Sequence, residues 1–233
     1  MSEVNLIGIT QPNYKYTGCD TAQELIGWCA RVSNPANQHK HDTAPKLIQS
    51  LLRDQHWSPL EMVDVSLEIK TTRDIARQIL RHSSFSFQEY SQRYADPTKD
   101  LGFVRREARL QDAKNRQASI ELGPDENRLA EEWCVVQEQA LNAAQFAYQW
   151  ARERGIAKEQ ARAVLPEGMT ESVIIMKGSV RSWVHYCDLR MKWDTQKEHR
   201  IVAEQCWNII KREFPDIDIA IQNIKNLQDK ENK

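Results

Sequence analysis

Between Val63 and Lys70, four aliphatic residues, Val63, Val65, Leu67 and Ile69, alternate with Asp64, Ser66, Glu68 and Lys70. A period of two places every aliphatic group on one side of an extended strand and every polar group on the other. The chain must therefore build a sheet with one buried face. A second constraint begins at Pro124, which opens a helix of almost thirty residues. Leu129, Trp133, Val136, Ala140, Ala143, Ala147 and Trp150 recur along it at intervals of three and four, with Gly155 just past its end. So long a helix with so many alanines suits helix-on-helix packing, including packing between subunits.

Shorter signals fill in the order of elements. Residues 4 to 9 read as a strand. Thr21 and Glu24 form a capping box ahead of Leu25, Ile26 and Trp28, and the helix they open ends near Arg31, before Ser33-Asn34-Pro35. A helix over 44 to 54 runs into His56-Trp57-Ser58-Pro59, where the proline forces an extended or turning backbone. Thr72 is placed to cap a helix that carries Ile75, Ile79 and Leu80 inward and delivers Arg81 and His82 at its C-terminal end. Residues 95 to 123 lack an apolar period and read as a long loop or mobile flap. Further on lie a short helix over 159 to 165 stopped by Pro166, a strand over 170 to 177 and a helix over 179 to 190. A last helix over 194 to 214 carries a Thr195/Glu198 capping box and is broken by Pro215. Residues 228 to 233 read as a frayed polar end. The expected class is mixed α/β or α+β, richer in helix than strand, with one domain over 1 to 225 and a polar tail over 226 to 233.

Thirty-two lysines and arginines nearly balance thirty-three acids. The whole molecule has no net field to hold a nucleic-acid backbone or an anionic membrane, so neither is an expected partner and any phosphate binding must be local. Cys19, Cys29, Cys134, Cys187 and Cys206 form no CxxC pair and sit in apolar stretches. They read as reduced thiols in a cytoplasm-like compartment, bacterial or that of a host cell if the chain is viral. Cys187 lies three residues from Arg190, but no pattern around it marks a thiolate nucleophile. His39 and His41 lack a third group at metal-ligand spacing and read as solvated loop histidines, so no metal is expected. No glycine-rich phosphate loop is present in the sequence. Side chains must grip any nucleotide.

The candidates for that task concentrate between Gln78 and Tyr94, in a helix-to-loop segment that mixes Arg81, Arg93, His82, Glu89, Ser91 and Gln92 with Phe85 and Phe87. A guanidinium grips a phosphate or a polar base edge with two parallel hydrogen bonds, and the amides and hydroxyls suit polar ring edges. The competing reading of the same composition is a solvated helix end followed by a hairpin that buries Phe85 and Phe87. A second arginine set, Arg162, Arg181 and Arg190, lies far along the chain. Arg181 and Arg190 are nine residues apart on one helix, two and a half turns, so they face different ways.

Gln78, Arg81, His82, Glu89, Ser91, Arg93 and Tyr94 fall without a gap on the Q-x-x-R-H-R-x-x-S-x-N-E-x-S-x-R-Y signature of the flavin-dependent thymidylate synthases (ThyX), which the segment resembles. His56-Trp57-Ser58-Pro59-Leu60-Glu61-Met62 is similar to that family's H-x-S/T-P-x-E-H. Glu159 to Pro166 is similar to its E-x-A-R-x-x-L-P, and Ser179-Val180-Arg181 with Arg190 to its N-x-R…R. The chain departs from the family at Ser83, Met62, Ser179 and His185, most of them positions near the family's flavin. The resemblance implies a ThyX-like central sheet flanked by long helices and a homotetramer whose active sites draw on several subunits. It implies FAD at Ser58, Arg81, His82, Ser83, Glu89, Ser179, Arg181 and His185, with His56 in the folate and flavin vicinity. It places dUMP at Gln78, Arg81, Glu89, Ser91, Gln92, Arg93, Arg162 and Arg190, with Arg190 near the pyrimidine N3 and Ser91 positioning the substrate as the two catalytic residues. NADPH and methylenetetrahydrofolate are the implied co-substrates and dTMP the product. Two alternatives remain: an enzyme of this scaffold making another 5-substituted dUMP, such as the hydroxymethyl compound, and a non-catalytic nucleotide-binding module.

Overall fold

The computed structural model describes residues 2 to 231, with backbone alone described at 225 and 227 to 231. Among these residues six strands form, β1 (Glu3–Ile9), β2 (Asp64–Thr72), β3 (Ser86–Glu89), β4 (Arg109–Gln111), β5 (Ser119–Glu121) and β6 (Glu171–Ser179). They are interspersed with helices α1 (Tyr14–Thr17), α2 (Ala22–Ala30), α3 (Ala44–Arg53), α4 (Arg73–Ile79), α5 (Pro97–Asp100), α6 (Asn127–Glu153), α7 (Lys158–Ala161), α8 (Val180–Arg190), α9 (Lys197–Glu213) and α10 (Pro215–Glu231). The main sheet is antiparallel throughout, in the order β1-β2-β6-β3, and β4 and β5 make a separate hairpin.

The alternation at 63 to 70 does what its period requires. Val65, Leu67 and Ile69 are buried in the core with Ile174 and Met176 of β6, while Asp64, Ser66, Glu68 and Lys70 fall on the less buried side. Residues of α2, α3, α4, α8, α9 and α10 close over the apolar side. Each such side chain contributes about 1.5–3 kcal/mol by leaving water. The core also fixes the path of the chain after α4: the ring of Phe85 stacks edge-on to Trp183 with centroids 4.8 Å apart and lies against Gly178. A Cβ at 178 would sit 2.4 Å from that ring, so only glycine lets the ring approach β6 so closely.

Several sequence expectations need correction. Residues 95 to 123 are not a structureless loop: Asp96 caps α5, its Oδ1 accepting from the Thr98 N–H at 3.0 Å, and the β4–β5 hairpin follows. Ionic contacts dock that hairpin on α9, because Arg109 and Arg106 both pair with Glu198. Those contacts also explain why the expected Thr195/Glu198 capping box is missing, since the Glu198 carboxylate is drawn to the arginines and Gln196 occupies the N-cap position. Thr72 stands at the N-cap of α4, but its hydroxyl bonds Asp74 and Arg106 instead of the helix end. Ser86–Glu89, expected to continue as a loop or to form a local hairpin, is an edge strand on β6. The long helix begins at Asn127, after a 3-10 turn at Pro124–Glu126. Among the described residues α6 packs on the short α7 and the turn after it, and bonds Arg106 through Gln137, leaving Trp133 41%, Trp150 44% and Phe146 71% exposed, so packing of this face between subunits stays open. α9 ends at Glu213, ahead of Pro215 as expected, but it is not the last helix: Pro215 opens α10, because proline is accepted in a first turn. The polar end expected at 228 to 233 falls on α10 as far as Glu231, and residues 232 and 233 lie outside the described residues.

Candidate active site

α4 and α8 run out at the same end of the fold, and that shared exit sets the geometry. Arg190, the last residue of α8, donates from Nε to Nε2 of His82 at 3.0 Å. His82 must then carry its proton on Nδ1. Burial lowers its pKa, and the charges of Arg190 and Arg81 lower it further, so the ring stays neutral. It stands edge-on to Tyr186 with centroids 4.9 Å apart. With Nε held, the two Nη nitrogens of Arg190 have no hydrogen-bond partner among the described residues. Arg81 is exposed beside it, without a side-chain hydrogen bond or ion pair among the described residues.

Gln78 on α4 sits between two polar neighbours. Its Nε2 donates to Gln196 Oε1 at 2.7 Å, and its Oε1 lies 3.2 Å from Nδ1 of the fully buried His199. His199 Nε2 in turn lies 3.1 Å from the Tyr186 hydroxyl. At the far end of β3, Glu89 accepts from Ser172 Oγ at 3.2 Å and pairs with the buried Arg73 at 3.4 Å. Ser91 Oγ accepts from the Arg93 N–H at 3.4 Å, and Gln92 is buried with its Nε2 unsatisfied.

The remaining expected residues make no hydrogen bond or ion pair with Arg190 among the described residues. At the start of α8, Ser179 Oγ accepts from the Ser182 N–H, and Arg181 pairs with Glu61. Ser58 and His56 are exposed on the segment before β2, and Ser83 is exposed in the turn after α4. His185 packs its ring 4.4 Å from Trp57 and lines a cavity of about 530 Å3 with Trp57, Val184, Met191 and Trp207. Arg93 pairs with Glu159 at 3.4 Å and lines a recess of about 200 Å3 with Tyr94, Lys158 and Glu159, in which Arg190 and Gln78 take no part. Arg162 is half-buried in the turn after α7. One chain therefore brings together Gln78, Arg81, His82 and Arg190, while Arg93 is paired with Glu159 and Arg162 stands in the turn after α7.

Burial pushes the Cys187 thiol well above its ordinary range, which removes it as a nucleophile. His39 and His41 are not simply solvated: His39 Nδ1 lies 3.2 Å from the Thr17 carbonyl and His41 Nδ1 3.7 Å from Cys19 Sγ. The motif reading missed His199, Tyr186, Arg73, Arg106, Arg109 and Glu198. For His199 a signal was present, since it falls on the inward stripe of α9 with Val202, Ala203 and Cys206. Arg73 and Arg106 give no local signal, because their partners come from distant segments.

Burial first, and then the charges of Arg190 and His82, push the His199 pKa down to about 3. Unfolded, a histidine titrates near 6.5, so below that pH the unfolded chain takes up a proton that the folded one refuses. Stability from this group is complete above about pH 6.5 and is lost as the pH falls toward about 3, at about 1.4 kcal/mol per pH unit. Urea unfolding of His199→Asn between pH 4 and 7 is expected to show a slope shallower by about one proton, and an unchanged slope would contradict a neutral buried ring.

An antiparallel sheet covered by helices, with the Arg190 guanidinium held by a neutral histidine where α4 and α8 end, defines a mixed α/β protein. A family profile described as thymidylate synthase complementing protein matches residues 15–216. The chain belongs to the flavin-dependent thymidylate synthase family. It is 44% identical over 216 residues to a probable flavin-dependent thymidylate synthase of Paramecium bursaria Chlorella virus 1, covering 93% of this chain and 97% of that one. It is 43% identical over 222 residues to the flavin-dependent thymidylate synthase of a Synechocystis strain, covering 94% and 99%. Its fold is similar to that of PolB, a UMP/dUMP methylase from Streptomyces cacaoi solved with 5-Br dUMP, with a TM-score of 0.77 and 23% identity over 96% of this chain and 95% of that one. Among the described residues, no helix is long and apolar enough to cross a membrane.

Proposed function

We propose that this chain converts dUMP to dTMP with FAD as the flavin, methylenetetrahydrofolate as carbon donor and NADPH as reductant. The observation that carries the reading is the Arg190–His82 bond, which aims the guanidinium by its Nε and leaves both Nη groups for a ligand. A cation at that position beside a pyrimidine stabilises negative charge developing on the ring. Arg81 and Gln78 flank it, and Arg93 and Arg162 supply the further cations that a monophosphate needs in a protein without a glycine loop. Glu89 is held by Arg73 and Ser172, so it is ready to accept from a sugar hydroxyl or to orient a neighbour. Gln92, buried with an idle Nε2, and Ser91 complete the substrate set.

The donor chemistry also suits FAD. Arg81 is cationic and uncommitted, His82 and His185 are held neutral, and Ser58, Ser83, Ser179 and Arg181 add hydroxyls and a charge, with Glu61 already paired to Arg181. Redox steps of the reaction are the cofactor's chemistry, and the protein supplies binding, orientation and charge. Assembly as a homotetramer is supported by the exposed tryptophans and phenylalanine of α6 and by the pairing of Arg93 with Glu159, in a recess that Arg190 does not line. Purified protein is expected to carry the visible absorbance of a flavin and to form dTMP from dUMP when given both co-substrates. A product of another mass would reassign the 5-substituent, and nucleotide binding without turnover would reduce the protein to a binding module.

A further inference from the structure

Glu198 lies outside every motif of the signature, yet a continuous line of hydrogen bonds leads from it to Gln78. Its Oε1 is clamped by Arg109 and by Arg106, the latter at 3.3 Å, and its Oε2 accepts from Gln196 Nε2 at 2.9 Å. Gln196 Oε1 accepts from Gln78 Nε2, Gln78 Oε1 faces His199 Nδ1, and His199 Nε2 faces the Tyr186 hydroxyl. An amide can be turned end for end with little change in shape, so nothing local to Gln78 decides which end points where. An ionised carboxylate, however, only accepts. Burial would raise the Glu198 pKa, but the Arg109 and Gln196 hydrogen bonds and the Arg106 charge hold it below the usual range, so it stays ionised. Gln196 Nε2 must then donate to it, Gln196 Oε1 must accept, and Gln78 must present Nε2 to Gln196 and Oε1 to the His199 Nδ1–H. At the far end Tyr186, whose pKa burial raises, keeps its proton and donates to His199 Nε2.

We propose that Glu198 is a positioning residue that acts through Gln196 to lock the amide of Gln78 with its NH2 group turned toward the ligand face, so that the second N–H of Nε2 donates to an oxygen of the substrate nucleotide. The β4–β5 hairpin contributes to the same lock, since it brings Arg109 to Glu198. The inference rests on the assignment of Gln78 to the dUMP site. An isosteric Glu198→Gln change removes the sign that orders the line, because a neutral amide both donates and accepts. Gln78 can then turn its carbonyl toward a substrate oxygen, which repels it.

The test is titration calorimetry of dUMP into flavin-loaded protein, together with steady-state kinetics. Glu198→Gln is expected to weaken dUMP binding about tenfold, the size of one hydrogen bond, and to raise KM with kcat within about twofold. Gln196→Met cuts the line at an exposed side chain without disturbing Arg106 and Arg109, and the same loss is expected from it even if Glu198→Gln fails to fold. In a Gln78→Ala background neither change is expected to cost further affinity. An equal further loss in that background, or unchanged dUMP affinity in both variants while Gln78→Ala itself weakens binding, would overturn the positioning role. If Gln78→Ala binds dUMP like wild type, the assignment of Gln78 to the site has failed, and the inference falls with it.

Discussion

Arg190→Ala is expected to reduce dTMP formation by about 10²–10³-fold while leaving bound flavin in place, read by product formation and by visible absorbance on the same sample. The size follows from what the side chain does. It is the one guanidinium of the site aimed by a neutral histidine instead of by a carboxylate, so its charge is not cancelled by an acid partner among the described residues. Truncation removes both a fork of donors and a charge facing the ring. Arg190→Lys is expected to rescue little, because an ammonium cannot hold His82 and grip a ring edge at once. His82, released from Arg190, loses the stronger of the two charges that lower its pKa, so the ring is expected to become easier to protonate in the variant. Wild-type turnover in Arg190→Ala would remove the residue from the mechanism.

Arg73→Ala is expected to destabilise the fold by about 3–5 kcal/mol, because it strips the partner from a largely buried carboxylate. Arg73 is 7% exposed, reaches Glu89 at 3.4 Å and Glu167 at 3.8 Å, and is the first residue of α4, the helix that delivers Gln78 and Arg81. Without it Glu89 keeps, among the described residues, only the Ser172 hydroxyl. The double variant Arg73→Ala/Glu89→Gln is expected to recover part of the loss, because the stranded charge goes with the second change. Urea melts of the four proteins of that cycle give the coupling. Additive losses would show that Arg73 stabilises by packing alone.

What could be read from the residues was what local spacing controls. The β2 alternation, the Thr21/Glu24 box and the β6-to-α8 passage through Ser179 all depend on neighbours within a few positions, and each forms as expected. The family signature picked out Gln78, Arg81, His82 and Arg190 before any contact between them was known. What escaped depends on distant partners. Nothing near Thr195 announces that Glu198 is claimed by Arg109 across the hairpin, and nothing near Ser86 announces that β6 offers it an edge. The alanines and tryptophans of α6 mark a face to be covered, but what covers it is set by surfaces far from them in the sequence. His199 was missed although its stripe was visible, because a lone histidine on an apolar face carries no chemistry until its partners are known.

The most direct test of the nucleotide face is a crystal structure of the flavin-loaded protein with dUMP bound. The expected result is a pyrimidine edge at the Nη groups of Arg190, with Nε still on His82 and Nε2 of Gln78 on a nucleotide oxygen. A nucleotide bound elsewhere, with Arg190 turned onto a protein carboxylate, would contradict it.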